Sequence, residues 1–137
     1  MCFITVSMER LQKQIIIKDL SKKMVFLAGP RQAGKTWLAK AIAQHFKSPL
    51  YLNYDHFEDQ TIIKQQSWLP QTDLVILDEL HKMRGWKNYL KGLFDTRNPI
   101  LNILVTGSAR LDIFSQVGDS LAGRFFYIAY CLSHLQN

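Results

Sequence analysis

One segment limits the fold of this chain more than any other: a glycine-containing loop set between an apolar run and an amphipathic one. Residues 29–36 read Gly-Pro-Arg-Gln-Ala-Gly-Lys-Thr, which fits the pattern G-x-x-x-x-G-K-[S/T] without a mismatch. Residues 24–28 before the loop are apolar throughout, and 35–46 after it repeat apolar residues at helical spacing. The pattern has structural meaning only where a strand leads into the loop and a helix leads out of it. Both conditions are met, so we expect a strand–loop–helix unit here.

The chemistry of a phosphate group explains why the loop has these residues. Glycines let successive backbone N–H groups approach phosphate oxygens closely. The following helix points its free amides and the positive end of its dipole at the same anion. Lys35 can reach the β- and γ-phosphates of a nucleotide, and the Thr36 hydroxyl can ligate Mg²⁺. The candidate nucleotide contacts are Gly29, Pro30, Arg31, Gln32, Ala33, Gly34, Lys35, Thr36 and Trp37.

Two carboxylates end an apolar run further along the chain. Residues 74–77 are four aliphatic residues, and Asp78 and Glu79 follow directly. Acids at the C-terminal end of a buried strand lie at the edge where ligands of open α/β sheets bind. We expect Asp78 to hold Mg²⁺, directly or through its water shell, and Glu79 to orient or deprotonate an attacking water. The alternative is an ordinary solvated strand end.

A polar turn and two arginines are the remaining candidates. The apolar run 101–105 ends in Thr106, Gly107 and Ser108, and a hydroxyl of Thr106 or Ser108 could contact the γ-phosphate or the lytic water. Ordinary turn chemistry is the alternative for these residues. Arg124 and Arg110 could approach phosphates in cis or across a subunit interface. A surface arginine paired with a carboxylate is the alternative for both.

Helical and strand patterns alternate over the whole chain. Helical spacing occurs at 8–20, 35–46 and 86–94, and Asn98 and Pro99 end the last of these. The polar stretch 58–66 is also predicted to be helical. Strands are predicted at 24–28, 50–54, 74–77, 101–105 and 125–130. Strands that are apolar on both faces and alternate with helices indicate a parallel sheet covered on both sides. The expected fold class is therefore α/β.

Composition limits the number of domains, the location and the binding partners that we expect for this chain. The chain has 137 residues, 47% of them hydrophobic and 20% charged, as expected for one globular domain. The longest apolar run, 125–132, has eight residues, whereas a membrane span needs about 18. Cys2 and Cys131 make no disulfide framework and the N-terminus resembles no secretory signal, so we expect a cytoplasmic protein. A net charge of +6 is weak support for nucleic-acid binding.

The segments GPRQAGKT, YLNYD, LVILDELHK, LVTGSAR and DSLAGRFF together resemble one bacterial and archaeal branch of the AAA+ ATPases, over residues 10–130. The resemblance implies a three-layer P-loop core that binds ATP with Mg²⁺. It assigns nucleotide contact to Lys35 and Thr36, metal binding to Asp78 and acid–base catalysis to Glu79, with Thr106 or Ser108 as sensor.

The chain also departs from the pattern of this branch. His81 stands where a glutamine is usual in the branch. Relatives also continue past the core, so we expect a chain truncated after it, which is either a remnant or a domain whose partner supplies the missing C-terminal region. The other expected partner is a second copy of the chain, in a homo-oligomer. The expected organisation is a helical segment at 1–21, a P-loop ATPase core at 22–130 and a short tail at 131–137.

The sequence thus predicts a Mg²⁺-dependent ATP hydrolase coupled to a conformational or remodelling task. Two alternatives remain open. One is a nucleotide-binding switch or inactive remnant that binds ATP without turnover. The other is a P-loop small-molecule kinase with Asp55 as its base. Guanine specificity is disfavoured because no Asn-Lys-x-Asp occurs after the run 101–105.

Overall fold

Strands and helices alternate along the chain as the apolar patterns predict. The computed structural model describes residues 2–29, 35–108, 121 and 123–129, except for the side chains of 2–9, 108 and 129. The helices are α1 (Cys2–Leu20), α2 (Lys35–Ala43), α3 (Phe57–Gln65) and α4 (Trp86–Thr96), with a short 3₁₀ turn at Leu80–Lys82. The strands are β1 (Met24–Gly29), β2 (Pro49–Asn53), β3 (Leu74–Asp78), β4 (Asn102–Ser108) and β5 (Phe125–Ala129).

The five strands form one parallel sheet in the order β2-β3-β4-β1-β5. β4 lies between β1 and β3, although it follows both of them in the sequence. The register pairs Gly29 with Ser108 and Asp78 with Thr106. The carboxyl ends of β1, β3 and β4 therefore meet at one edge of the sheet.

Helices cover both faces of this sheet, which makes three layers. On one face Val25 and Leu27 of β1 pack with α1 and α2, and on the other Phe26 packs with α4. All residues of β1 and β3 are buried because successive side chains of a strand point to opposite faces and both faces are covered. The predicted α/β class, a parallel sheet with helices on both faces, is confirmed.

The observed elements differ from the predicted ones mainly at their ends. α1 begins at Cys2, six residues before the predicted start. α2 ends at Ala43 because the amides of His45 and Phe46 bond to carbonyls three residues back, which closes the helix with tight turns. No described helix is long and apolar enough to cross a membrane.

Candidate functional site

Several of the predicted site residues lie at the carboxyl edge of the sheet. Gly29, Thr106 and Asp78 stand at or near the ends of the neighbouring strands β1, β4 and β3. Lys35 and Thr36 open α2, which follows the loop. The loop residues between β1 and α2 lie outside the described residues, as does the candidate arginine that follows β4; these are Pro30, Arg31, Gln32, Ala33, Gly34 and Arg110.

Asp78 is the centre of the observed contacts. It is only 6% exposed, and its carboxylate accepts hydrogen bonds from two sides. Thr106 Oγ1 donates to Oδ1 at 2.6 Å, and the Tyr51 hydroxyl donates to Oδ2. Thr36 Oγ1 lies 3.5 Å from the same Oδ2, although the two residues are 42 positions apart in the sequence. A buried carboxylate is stable only when donors of this kind replace the water it has lost.

Tyr51 is a site residue that the sequence did not identify. It lies on β2, and the pairing of β2 with β3 brings its ring beside the carboxylate of Asp78. Burial, and then the hydrogen bond to Asp78 and its negative charge, raise the pKa of the Tyr51 phenol far above its ordinary range. The phenol therefore stays protonated and acts as a donor. The only sequence signal was its place in the segment YLNYD.

Lys35 is the first residue of α2 and carries a positive charge. Its residue is 9% exposed, and among the described residues it forms no ion pair with a carboxylate. A cation in the first turn of a helix, where the free amides also carry positive partial charge, favours an anionic ligand. Trp37, two positions into the same helix, is 59% exposed and leaves its indole available at the surface.

Glu79 has an unusual backbone conformation and an ion pair. Its φ of 60° lies in the left-handed region, which residues other than glycine seldom adopt. Its amide donates to the carbonyl of Thr106 at 2.9 Å. Its Oε2 lies 3.0 Å from Nζ of Lys82, and the same Nζ lies 2.9 Å from both carboxylate oxygens of Asp55. The hydrogen bonds with Asp55 and Glu79 raise the pKa of Lys82.

Arg124 lies away from the residues around Asp78. Its carbonyl accepts from the amide of Met24, at the amino end of β1, which places it at the opposite edge of the sheet. Its guanidinium bonds both carboxylate oxygens of Asp95, at 2.9 and 3.1 Å. A role for Arg124 across a subunit interface stays a prediction.

The two candidate sensor hydroxyls differ in what the structure describes. Thr106 is 1% exposed and directs its hydroxyl to Asp78. Ser108 ends β4, and its side chain lies outside the described residues.

The oxygens at this edge suit Mg²⁺. Among the described residues there is no cluster of three or more histidine, cysteine, aspartate or glutamate side chains that could hold a metal ion on its own. Mg²⁺ is commonly held by one or two carboxylates together with the phosphates of a substrate. The carboxylate of Asp78 and the hydroxyl of Thr36 are hard oxygen donors close to each other, so these residues fit such an ion.

Comparison with known proteins gives one family and several similar structures. The model of a family described as AAA domain matches residues 21–134. The RuvB Holliday junction branch migration motor of Thermotoga maritima has a TM-score of 0.59 and 20% identity, over 89% of this chain and 44% of that one. PCH-2 of C. elegans has a TM-score of 0.58 and 19% identity, over 90% of this chain and 41% of that one.

These likenesses concern the fold. At such low identity the two structures show a shared architecture, and this chain spans less than half the length of either. No curated protein matches the sequence.

Proposed function

Since this chain belongs to the AAA domain family, we propose that it binds ATP with Mg²⁺ and hydrolyses it to ADP and phosphate. The observation that carries the proposal is the approach of Thr36 to Asp78, 3.5 Å between Oγ1 and Oδ2. Thr36, at the end of the loop motif, and Asp78, at the end of β3, thus lie next to each other at the carboxyl edge of the sheet. Lys35, beside Thr36 in the first turn of α2, forms no ion pair with a described carboxylate, and its positive charge supports an anionic ligand there.

The proposed roles follow from the chemistry of each side chain. Lys35 holds the β- and γ-phosphates, and Thr36 with Asp78 holds the metal. Mg²⁺, when bound, would neutralise charge that develops on the phosphate oxygens. Glu79 orients the attacking water and accepts its proton. Thr106 and Ser108 remain the proposed sensor hydroxyls.

Further parts of the proposal concern organisation and partners. The helical segment 1–21, the core 22–130 and the tail 131–137 are proposed as the units of the chain. We expect a homo-oligomer or another protein to complete the site, where Arg124 would serve a neighbouring subunit. RuvB is described as a Holliday junction branch migration motor. For this chain we also propose a remodelling task, binding of nucleic acid and a cytoplasmic location.

The ion pair of Glu79 with Lys82 favours a second candidate function. A carboxylate held 3.0 Å from an ammonium is engaged, and it must leave that contact or rotate before it can orient water. If the carboxylate of Glu79 never leaves Lys82, the protein would bind ATP without hydrolysing it. The second candidate is therefore a nucleotide-binding switch.

Two variants separate these functions when ATP binding is measured by calorimetry and phosphate release by a colorimetric assay. Lys35→Ala should lose ATP binding, whereas Glu79→Gln should keep binding and lose turnover by about 100-fold or more. Lys91→Ala and Glu58→Gln change exposed residues of the same types and serve as controls.

Each outcome of this experiment assigns a function. Binding of Mg-ATP by the parent protein without phosphate release would exclude the hydrolase and leave the switch, unless phosphate passes to an added acceptor, as the kinase alternative requires. Hydrolysis by Glu79→Gln at the parent rate would show that Glu79 is not the base. No heat on titration of Mg-ATP into the parent protein would remove both functions.

A further inference from the structure

The hydroxyl of Tyr51 lies among the oxygens proposed to hold the metal. It donates to Oδ2 of Asp78, the same oxygen that lies 3.5 Å from the Thr36 hydroxyl. The ammonium of Lys40 lies over the Tyr51 ring, 5.1 Å from its centroid. Tyr51 and Thr36 therefore meet at the same oxygen of Asp78, and Lys40 of α2 contacts the Tyr51 ring.

The two donors on Asp78 determine how its carboxylate is oriented. Thr106 reaches Oδ1 from β4, and Tyr51 reaches Oδ2 from β2, on the other side of β3. The terminal torsion of an aspartate is broad and has no sharp minimum of its own. Two donors on opposite oxygens fix it. Without Tyr51, the oxygen that faces Thr36 would lose its restraint.

We infer that Tyr51 is a positioning residue for the metal site. Its hydroxyl holds Oδ2 of Asp78 towards Oγ1 of Thr36, so that these two oxygens are oriented before Mg²⁺ binds. This inference rests on the proposed function, because it concerns the same site. Hydrogen-bond partners of ligating carboxylates act in this way in other metal sites, where their loss weakens metal affinity by about 10–100-fold.

Tyr89 provides a matched comparison within the same chain. Its hydroxyl also donates to a buried acceptor, but that acceptor is the backbone carbonyl of Ile63 between α4 and α3. Tyr51→Phe and Tyr89→Phe each delete one hydroxyl and one hydrogen bond at a half-buried tyrosine. The loss of stability should be larger for Tyr51→Phe, because the acceptor of Tyr51 is a charged carboxylate and the acceptor of Tyr89 is a neutral carbonyl. Only the first deletion touches the proposed metal site.

The experiment measures metal affinity directly. Mn²⁺ is titrated into each protein with saturating ADP and followed by electron paramagnetic resonance, and ADP binding in excess EDTA is measured by calorimetry. We expect Tyr51→Phe to weaken Mn²⁺ binding by about tenfold and to leave metal-free ADP binding unchanged. Tyr89→Phe should match the parent protein in both measurements.

Other results would overturn the inference in distinguishable ways. Equal Mn²⁺ affinity in Tyr51→Phe would show that the hydroxyl does not position Asp78. Tighter Mn²⁺ binding would show that the hydroxyl competes with the metal. Failure of the parent protein itself to bind Mn²⁺ with ADP would remove the proposed function, and the inference with it.

Discussion

Lys82 holds its ammonium 3.0 Å from Oε2 of Glu79, three residues back in the sequence, through the turn that follows β3. The same ammonium contacts both oxygens of Asp55 at 2.9 Å. One lysine thus joins the two carboxylates that the competing hypotheses name as a base. The two carboxylates differ in how they contact the ammonium: Asp55 uses both of its oxygens, whereas Glu79 uses only Oε2.

The first prediction concerns Asp55. Asp55→Asn should leave ATP hydrolysis within about twofold of the parent rate, because Asp55 does not touch the reacting water in the proposed mechanism. The ion pair is about two-fifths exposed on both sides, so its loss should cost less than about 1 kcal/mol of unfolding free energy. Phosphate release and urea unfolding measure the two effects. A large loss of phosphate transfer to an added acceptor, with hydrolysis unchanged, would instead support the kinase alternative.

The second prediction concerns the hydroxyl of Thr106, which supports the buried carboxylate of Asp78. Thr106→Val keeps the volume but removes the donor, and should lower the unfolding free energy by about 1.5–3 kcal/mol because a charged acceptor loses its partner. Thr106→Ser keeps the donor and loses one methyl group, at about 1 kcal/mol. Urea unfolding should therefore rank valine below serine. If volume alone decides the stability, the order will be reversed.

Local sequence patterns were enough to predict the helices and strands of this fold, but not the order of the strands in the sheet. The apolar runs that become β1 and β3 are buried on both faces, so they carry a strong local signal. Strand order is a long-range property, and nothing within 49–53 says that β2 lies next to β3. The contact of Tyr51 with Asp78 could therefore not be predicted, although the place of Asp78 at the edge of the sheet could.

The conformation of Glu79 was equally beyond local reasoning. A positive φ is normally signalled by glycine, and here a glutamate adopts it. The 3₁₀ turn at Leu80–Lys82 follows directly and brings Lys82 back to Glu79. Leu-His-Lys has no turn signature, so the ion pair appears only in the structure. Strained backbone of this kind clusters at functional sites in general.

The third prediction tests the close approach of His81 to Gly107 of β4. A Cβ built on Gly107 would lie 2.7 Å from Nδ1 of His81 and 3.2 Å from its Cε1. Gly107→Ala must therefore displace the imidazole, and should lower the unfolding free energy by about 1–3 kcal/mol. Gly92→Ala is the control, because nothing lies within 4 Å of its added Cβ in α4. That variant should gain up to about 1 kcal/mol from helix propensity.

A double-mutant cycle identifies the cause of this loss. If the clash with His81 is responsible, Gly107→Ala should cost much less in a His81→Ala background. Equal costs in both backgrounds would mean that the added methyl group acts elsewhere, for example on Phe26, whose Cζ lies 3.7 Å away.

The last prediction concerns the ion pair of Asp95 with Arg124. The hydrogen bond from Arg124 is the main cause that lowers the pKa of Asp95 below its ordinary value. A carboxylate with a lowered pKa in the folded state stabilises the fold above its unfolded pKa of about 3.9, and this stabilisation disappears as the pH falls through the folded pKa. Arg124→Met should therefore lower stability at pH 6, and the difference from the parent protein should shrink steadily below pH of about 4.

Arg97→Met is the control for this pH dependence. The Arg97 guanidinium donates to the backbone carbonyls of Phe94 and Leu101, which do not titrate, and it has the smallest influence among the causes that act on Asp95. Its loss should change stability by nearly the same amount at pH 6 and pH 3. Urea unfolding of the three proteins at both pH values measures this. A difference for Arg124→Met that stays constant with pH would show that Arg124 stabilises the fold through contacts other than the carboxylate of Asp95.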